Sequence, residues 1–220
     1  MSYQHQWKDG TATGSTPGKI VCVGRNYAEH ARELNNPVPP QPLLFIKPAT
    51  AACPLTAPIK LPANLGSVHY ETELAILIGR PLTRASETEA LNAIAGVGLA
   101  LDLTLRELQT RLKTDGHPWE RAKGFDGACP LSPFVPVSEF DSLEALQFSL
   151  TINGDIRQQG DTRDMITPLL PLLAHISETF TLLPGDVVLT GTPAGVGVLE
   201  SGQHLKLELS GRLEVETGVE

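Results

Sequence analysis

Two glutamates, Glu71 and Glu73, interrupt a segment that otherwise has the pattern of a buried β-strand, residues 68–78. Side chains two positions apart on a strand point to the same face, so these carboxylates would lie about 7 Å from one another. Such a pair repels itself unless it is exposed to water or neutralised by a cation. An exposed strand face is the ordinary alternative. Because residues 74–78 are almost wholly apolar, the strand continues into the core, which favours neutralisation.

Asp102 is a third carboxylate in an apolar setting, since it closes the run of residues 96–101. A buried charge is costly unless it is paired or bound to a metal. The same residue is equally suited to cap a helix over residues 104–112, and both interpretations stay open. With the two glutamates it would form an all-oxygen ligand set of the kind that Mg²⁺ or Mn²⁺ prefers. Zinc would require nitrogen or sulfur ligands, and the nearest candidate, His69, is equally explained as a histidine at the rim.

His30 and Glu33 are three positions apart in a predicted short helix, so they share one face. A carboxylate beside an imidazole can orient the ring and hold it ready as a general base. The alternative is an ordinary solvated helix edge. The helix follows directly on the turn at residues 24–26, where Asn26 is suited to cap it, and such a turn is a sensible position for a loop that covers a site.

Two glycine-rich loops carry further polar candidates. Lys123 begins the first, residues 123–127, from which it could reach an anionic ligand, although a surface lysine is the simpler interpretation. The second, residues 191–197, follows a buried strand and could present backbone N–H groups and the Thr192 hydroxyl to an oxyanion. It lacks the Gly-Lys-Ser/Thr of a phosphate-binding loop and does not open a helix, so nucleotide binding is only weakly indicated.

The elements that must position these side chains are many short strands and few short helices. Asn153-Gly154 between two strand-like segments predicts a β-hairpin. Helices are predicted where Ser86 with Glu89 and Thr104 with Glu107 have the spacing of a capping box. A further helix is predicted within residues 166–180, and an extended proline-rich loop over residues 35–42. The pattern favours a β-rich α+β fold over a doubly wound α/β sheet.

Length and charge narrow the function further. Residues 1–17 are predicted to form an N-terminal arm. The length of 220 residues fits a single catalytic domain, residues 18–220. A net charge of −8 disfavours nucleic-acid binding and requires a local positive charge, from Arg and Lys or a metal, to hold any anionic ligand. Three cysteines without a C-x-x-C pair, no signal peptide and no apolar run long enough to cross a bilayer predict a cytoplasmic protein without membrane contact.

Six segments, in their order along the chain, resemble the fumarylacetoacetate hydrolase family. The resemblance is greatest to its small single-domain members, which act as acylpyruvate hydrolases or oxaloacetate decarboxylases. The segments are residues 24–33, 45–48, 69–75, 101–102, 123–127 and 191–197. Each is weak alone, but six in the family's order are specific, and they extend over nearly the whole chain.

The resemblance implies a mixed β-sandwich or roll with few short helices, a homodimer and one divalent metal, Mg²⁺ or Mn²⁺. It matches Glu71, Glu73 and Asp102 to the metal ligands. It matches His30 and Glu33 to the dyad that activates water in the hydrolytic members. Two further groups follow, the residues around the substrate's carboxylate and oxo groups and those in neighbouring segments near the pocket: Lys123 and Thr192 in the first, Arg25, Asn26 and Gln109 in the second.

Two departures from the family pattern bear on the substrate. His69 stands where many relatives carry Asp, which is not expected to alter the metal site. The longer N-terminal domain of the larger hydrolases is missing, which argues against fumarylacetoacetate itself as the substrate.

The implied activity is metal-dependent hydrolysis of a C–C bond in acylpyruvates, such as acetylpyruvate or fumarylpyruvate, to pyruvate and a carboxylic acid. His30, oriented by Glu33, would take a proton from the attacking water, and Lys123 would help hold the pyruvate enolate. Two alternatives use the same site without an attacking water: an oxaloacetate decarboxylase, and an isomerase or decarboxylase of 2-hydroxyhepta-2,4-diene-1,7-dioate type from aromatic catabolism. The dyad favours hydrolysis. A non-catalytic protein that binds metal or a 2-oxo acid is the third hypothesis, and the complete residue set argues against it.

Overall fold

Strands form most of the regular structure in the computed structural model, which describes residues 3–33 and 37–220. Residues 1–2 of the predicted arm and 35–36 of the predicted proline-rich loop lie outside the described residues. The strands are β1 Lys19–Gly24, β2 Leu43–Pro48, β3 Ala52–Pro54, β4 Val68–Tyr70, β5 Thr72–Ile78, β6 Ile94–Leu101, β7 Thr104–Leu105, β8 Cys129–Leu131, β9 Val135–Pro136, β10 Gln147–Ile152, β11 Asp155–Asp161, β12 Val187–Leu189, β13 Gly197–Val198, β14 His204–Leu209 and β15 Leu213–Gly218. The helices are α1 Ala28–Glu33, α2 Glu87–Ala93, α3 Arg106–Thr114, α4 Glu120–Lys123 and α5 Leu169–Thr179.

The strands form three sheets. The largest has the order β2-β1-β12-β5-β6-β8-β3, with β9 added to β6. It is mixed, because β1 pairs with β12 and β3 with β8 in parallel, whereas its other pairs are antiparallel. A four-stranded sheet has the order β11-β10-β14-β15, and a small one β13-β4-β7. The predicted β-rich α+β fold of mixed sheets with few short helices is confirmed.

Strand β5 is apolar at nearly every position because both of its faces are buried. Leu74, Ile76 and Ile78 belong to one hydrophobic cluster, while Ala75 and Leu77 belong to a second cluster on the other face. A strand covered on both faces has no polar side to present, which removes the usual alternation of polar and apolar residues. Any carboxylate at the start of such a strand therefore enters the interior.

Several predicted local signals are confirmed. Ser86 and Glu89 form a reciprocal capping box at the start of α2. Asn153 and Gly154, both with positive φ, join β10 to β11 as a two-residue hairpin turn. The helix predicted within residues 166–180 is α5, which begins after Pro168.

The predicted capping box of Thr104 and Glu107 is wrong. Thr104 pairs with His69 in the small sheet, so α3 begins only at Arg106 and has no side-chain cap. The carboxylate of Glu107 instead accepts a hydrogen bond from the Ser67 hydroxyl. Sheet pairing with a distant segment has overridden the local signal.

A seam between two sheets positions the acidic residues. Glu71 lies between β4, in the small sheet, and β5, in the large one. Asp102 lies in the corresponding place between β6 and β7, and its N–H donates to the Glu71 carbonyl at 2.8 Å. Two neighbouring segments of the chain thus pass from one sheet to the other at the same level, which brings their carboxylates together.

The N-terminal residues contact the large sheet. Trp7 forms a β-bridge with Phe134, and His5 Nε2 lies 2.8 Å from the Gly185 carbonyl oxygen. The division into an arm and one catalytic domain stays a prediction. Among the helices of the described residues, not one combines the length and the apolar character needed to cross a bilayer.

Candidate active site

Glu71, Glu73 and Asp102 form a buried acidic triad. Their side chains are almost completely enclosed, and one ligand oxygen from each lies within 4.8 Å of the others. The alternative of an exposed strand face is therefore wrong for the two glutamates. The alternative of a helix cap is wrong for Asp102, because Leu105 occupies the cap position of α3.

Three cationic side chains surround the acidic triad. Lys123 Nζ lies 2.8 Å from Glu71 Oε2 and 2.7 Å from Asp102 Oδ2. The Arg106 guanidinium pairs with the other oxygen of Glu71, and Lys47 Nζ lies 2.7 Å from Asp102 Oδ1. The alternative of a surface lysine is wrong for Lys123, which is buried at the end of α4 rather than in an open loop.

Lys47 is a site residue whose contribution the sequence reasoning missed. Its side chain is 0% exposed, and its ammonium donates hydrogen bonds to the carbonyl oxygens of Leu103, Lys123 and Ala128. It therefore ties three segments together beneath the acidic triad. The signal available in the sequence was a charged residue at the end of an apolar strand, which requires buried partners.

The cations divide unevenly among the carboxylates. Burial alone would raise the pKa of Glu71, but Lys123 and Arg106 outweigh it and hold that pKa well below its usual range. Burial, reinforced by the charges of Asp102 and Glu71, raises the pKa of Glu73 well above its usual range. Burial would lower the pKa of Lys123, but Asp102 and Glu71 raise it above the ordinary lysine value. Glu73 is thus the carboxylate that most lacks a positive partner.

The acidic triad fits a hard divalent cation. Its donors are all carboxylate oxygens that converge on one place, which suits Mg²⁺ or Mn²⁺ rather than zinc. Asp102 Oδ1 is buried without a hydrogen bond, and the neighbouring Lys47 ammonium donates instead to three backbone carbonyls. The raised pKa of Glu73 also fits a cation site, because a cation beside this carboxylate would stabilise its charged form.

His30 and Glu33 are brought together as the spacing predicts. His30 Nδ1 lies 3.4 Å from Glu33 Oε2, and the His30 side chain is buried. A solvated helix edge is therefore the wrong description of His30. The Glu33 carboxylate in turn accepts from the Gly195 N–H, at 3.1 Å to Oε1.

The loop at residues 191–197 behaves differently from the prediction. The Gly191 N–H donates to Glu73 Oε2 at 2.6 Å, and the Gly195 N–H donates to Glu33. These donors thus hold protein carboxylates instead of facing an oxyanion. Gly191 has a φ of 96°, and a Cβ there would come within 2.7 Å of Asn26 Cβ, so this position requires glycine.

A cavity of about 130 Å³ is lined by the acidic triad and by His30. Besides the triad, the polar and charged side chains that line it include those of Arg25, His30, Arg106, Gln109, Lys113, Lys123 and Thr192. Burial, with the charges of Arg25 and Arg106, lowers the pKa of Lys113. The small cavity is therefore lined by the acidic triad at its base and by cationic side chains at its rim.

Asn26 stands apart from the other predicted substrate-binding residues. It is not among the described residues that line the cavity. Its amide nitrogen donates to the carbonyls of Thr167 and Thr190, and its amide oxygen accepts from the Thr167 N–H. In this structure the side chain therefore connects the turn before α1 to two other loops.

A larger groove, of about 1090 Å³, lies elsewhere, against α2 and α5. Its lining includes apolar side chains such as Leu91, Leu143 and Leu170. Among the described residues, the one group of three side chains suited to hold a metal lies in the smaller cavity. The chemistry therefore indicates the smaller cavity as the candidate active site.

Known proteins are similar to this chain along nearly its whole length. Residues 19–220 match the model of the fumarylacetoacetate (FAA) hydrolase C-terminal family. The chain is 51% identical over 210 residues to oxaloacetate tautomerase YcgM of Escherichia coli K12, covering 95% of this chain and 96% of that one. It is 40% identical over 201 residues to the mitochondrial oxaloacetate tautomerase FAHD1 of Bos taurus, covering 91% of each.

Solved structures share the fold over nearly all of this chain. A putative fumarylacetoacetate hydrolase family protein from Yersinia pestis superimposes with a TM-score of 0.97 and 54% identity, covering 99% of this chain and 100% of that one. Fumarylpyruvate hydrolase from Pseudomonas aeruginosa, in complex with Mn²⁺ and pyruvate, superimposes with a TM-score of 0.89 and 34% identity, covering 99% and 95%.

Proposed function

Because the chain belongs to the fumarylacetoacetate hydrolase family, we propose that it is a divalent-metal-dependent enzyme that interconverts the enol and keto forms of oxaloacetate. The observation that carries the proposal is one small cavity with a buried imidazole, His30, beside a buried acidic triad and cationic side chains. The reaction is a proton transfer, for which these groups suffice. Two relatives named oxaloacetate tautomerase support the choice of substrate.

The size of the cavity supports a small substrate. Its volume of about 130 Å³ lies well below the roughly 300–1,000 Å³ typical of pockets for drug-sized ligands. A four-carbon acid suits such a space better than a large cofactor would. Phe45 and Trp119, whose ring centroids are 5.9 Å apart, form an apolar part of the wall.

The charge of the rim supports a dicarboxylate. Arg25, Arg106 and Lys113 all line the cavity, although the chain as a whole carries a net charge of −8. Positive groups at the entrance attract an anion and offset the repulsion from the rest of the acidic protein. Gln109, whose amide oxygen accepts from Arg106 at 2.8 Å, fixes the orientation of one of these cations.

The residues of the chain divide the work of the reaction as follows. A divalent ion held by Glu71, Glu73 and Asp102 would polarise the 2-oxo group as a Lewis acid. Glu33 holds His30 Nδ1, which leaves Nε2 as the ring nitrogen that exchanges a proton with C3 of the substrate. When the enol form is converted to the keto form, C3 gains one proton and the enol oxygen loses one.

Lys123 and Arg106 stabilise the negative charge that develops on the substrate oxygen during this exchange. Both cations are held by carboxylates, so their positions are set before the substrate arrives. Such preorganised charge costs no rearrangement during the reaction.

Acylpyruvate hydrolysis is the second candidate, favoured by the His30–Glu33 contact of 3.4 Å. The same imidazole would then take a proton from a water molecule, which attacks the distal carbonyl of the acylpyruvate. The similarity to fumarylpyruvate hydrolase supports this alternative. Decarboxylation of oxaloacetate and isomerisation of 2-hydroxyhepta-2,4-diene-1,7-dioate need no attacking water and would use the same residues, and a 38% identical neighbour is named as an isomerase of that kind.

The test compares four assays on three substrates with one protein preparation. Decay of the enol form of oxaloacetate is followed by ultraviolet absorbance, and pyruvate release is measured from oxaloacetate, acetylpyruvate and fumarylpyruvate. Each assay is run with EDTA and after Mg²⁺ or Mn²⁺ is restored. We expect metal-dependent enol decay that is faster than any release of pyruvate. Release of pyruvate from an acylpyruvate that is faster than enol decay would identify the protein as a hydrolase instead of a tautomerase.

The remaining parts of the proposal concern the ion and the assembly. We propose Mg²⁺ or Mn²⁺ as the resident ion, supported by the all-oxygen triad and by the Mn²⁺ complex of the Pseudomonas neighbour. We also propose a homodimer, supported by the family resemblance, and a cytoplasmic location, supported by three cysteines that are all unpaired.

A further inference from the structure

Gln158, on strand β11, connects the four-stranded sheet to the candidate active site. Its side chain is 1% exposed. The amide oxygen accepts from the Thr72 N–H at 2.9 Å, and the amide nitrogen donates to Thr192 Oγ1 at 2.8 Å and to the Pro193 carbonyl at 2.9 Å. One side chain thus touches both the strand between the two glutamates and the hydroxyl that lines the cavity.

The partners of Gln158 fix which end of its amide faces Thr192. A backbone N–H can only donate, so the group next to Thr72 must be the amide oxygen. A backbone carbonyl can only accept, so the group next to Pro193 must be the amide nitrogen. Since the same nitrogen lies beside Thr192 Oγ1, the hydroxyl accepts a hydrogen bond from Gln158.

This arrangement decides what the Thr192 hydroxyl can still do. A hydroxyl has one proton to donate, and accepting from Gln158 leaves that proton uncommitted. Within the described residues it donates only to the Pro193 carbonyl, at 3.5 Å, which is the outer limit of hydrogen bonding, and that oxygen already accepts from Gln158. Thr192 lines the cavity beside the acidic triad, so an anionic oxygen in the cavity is the better acceptor.

We propose that Gln158 is a positioning residue that turns the Thr192 hydroxyl into a hydrogen-bond donor toward an oxygen of the bound 2-oxo acid. The nature of that ligand rests on the proposed function. Gln158 does not touch the ligand itself. Its contact with Thr72, which lies between Glu71 and Glu73, also fixes the distance between this donor and the acidic triad.

Gln158→Glu is the variant that tests the proposal most directly. The side chain keeps its shape, but an ionised carboxylate can only accept, so the Thr192 proton turns toward position 158. The readout is the Kd of pyruvate for the Mn²⁺-loaded protein, measured by calorimetry without turnover. We expect pyruvate binding to weaken about tenfold or more, the size expected for a lost hydrogen bond to a charged group. The Kd for Mn²⁺, measured by electron paramagnetic resonance, is expected to stay within about twofold.

Two further variants separate positioning from a general structural role. Gln159→Glu makes the same change at the exposed neighbouring position and is expected to leave pyruvate binding unchanged. In a Thr192→Val background, Gln158→Glu is expected to have little further effect, because the hydroxyl through which it acts is gone. If Gln158→Glu does not fold, Gln158→Met keeps the volume, removes both amide functions and enters the same double-mutant cycle.

Either of two results would overturn the inference: an unchanged Kd of pyruvate in the position-158 variant, or additive effects of the substitutions at 158 and 192. A wild-type protein that binds pyruvate but does not tautomerise oxaloacetate would contradict the proposed function alone and leave this inference intact. A wild-type protein that binds no pyruvate would overturn this inference, whereas the proposed function is decided separately by the assay of enol decay.

Discussion

The backbone N–H of Gly195 donates to the carboxylate of Glu33, at 3.1 Å to Oε1 and 3.3 Å to Oε2. The same carboxylate contacts the imidazole of His30. A loop that begins beside Glu73 therefore also sets the orientation of the proposed base. The acidic triad and the His30–Glu33 pair are thus coupled through one short segment of backbone.

Removal of the imidazole tests the proposed base. We expect His30→Ala to lower kcat about 10²- to 10⁴-fold, the usual contribution of a general acid–base group, with Mn²⁺ affinity retained. His175→Ala is the matched control, because His175 and Glu178 have the same spacing on α5, 3.7 Å apart, away from the cavity. Near-normal turnover in His30→Ala would contradict the assigned role.

A substitution in the loop at residues 191–197 tests whether the contact between the Gly195 N–H and Glu33 contributes to activity. Gly195 has a φ of 97°, and a Cβ there would collide with the Arg157 carbonyl. We expect Gly195→Ala to lower both kcat and the free energy of unfolding, since the loop must move away from Arg157 and its N–H would shift relative to Glu33. Gly202→Ala, where φ is 84° and nothing lies within 4 Å of the added Cβ, measures the cost of the backbone conformation alone, about 1–2 kcal/mol. Equal losses in the two variants would show that the collision has no consequence.

The stability of the metal-free protein should depend on Glu73 in a definite direction. Its pKa is raised in the folded state, so between the usual value of 4.5 and the raised value the folded protein binds more protons than the unfolded one. The free energy of unfolding therefore falls as the pH rises through this window. Denaturant titrations in EDTA should show this slope in the wild type and a flatter one in Glu73→Gln. A slope that is the same in both proteins would refute the prediction.

Mn²⁺ should reverse the pH dependence that Glu73 imposes. A metal binds the deprotonated carboxylate, so its affinity rises as the pH rises through the same window. We expect the Kd for Mn²⁺ to fall as the pH rises in the wild type, and to be higher in Glu73→Gln than in the wild type. Titrations of Mn²⁺ at several pH values, followed by electron paramagnetic resonance, check this expectation.

Lys47 should be critical for stability. Lys47→Met leaves Asp102 without one cation and three backbone carbonyls without their donor, and the loss of one partner of a buried ion pair costs about 3–5 kcal/mol. The exposed Lys60 provides the control, because Lys60→Met should change the free energy of unfolding by less than about 0.5 kcal/mol. Chemical denaturation of both variants measures the difference, and a similar stability for the two would contradict the role of Lys47.

The sequence was sufficient to predict the two glutamates of the acidic triad and the His30–Glu33 pair, because each of these pairs depends on local periodicity. Glu71 and Glu73 are two positions apart beside an apolar strand, and His30 and Glu33 are three apart on a helix. Asp102 remained ambiguous, since a helix cap and a ligand both call for an aspartate just after a strand. The structure decides against the cap, because the pairing of Thr104 with His69 moves the start of α3 and Leu105 takes the cap position.

The contacts that sequence reasoning missed are those between distant segments. Lys47 meets the Ala128 carbonyl across 81 positions, and Gln158 meets the Thr72 N–H across 86. Neither partner is marked by a local pattern. The same reason explains the misplaced start of α3, where Thr104 pairs with His69 in a strand. Long-range pairing overrides a local capping signal wherever the two compete for one residue.

The environment of the Lys47 ammonium, three carbonyl oxygens and a carboxylate, resembles the coordination shell of an alkali ion. Unlike an alkali ion, this charge is covalently attached, so dilution, dialysis or a chelator cannot remove it. The segments around Leu103, Lys123 and Ala128 therefore keep their counter-charge at any ionic composition of the medium. If the activity depends on a divalent ion as proposed, removal of that ion would abolish the activity reversibly, because the protein framework that binds the ion persists without it.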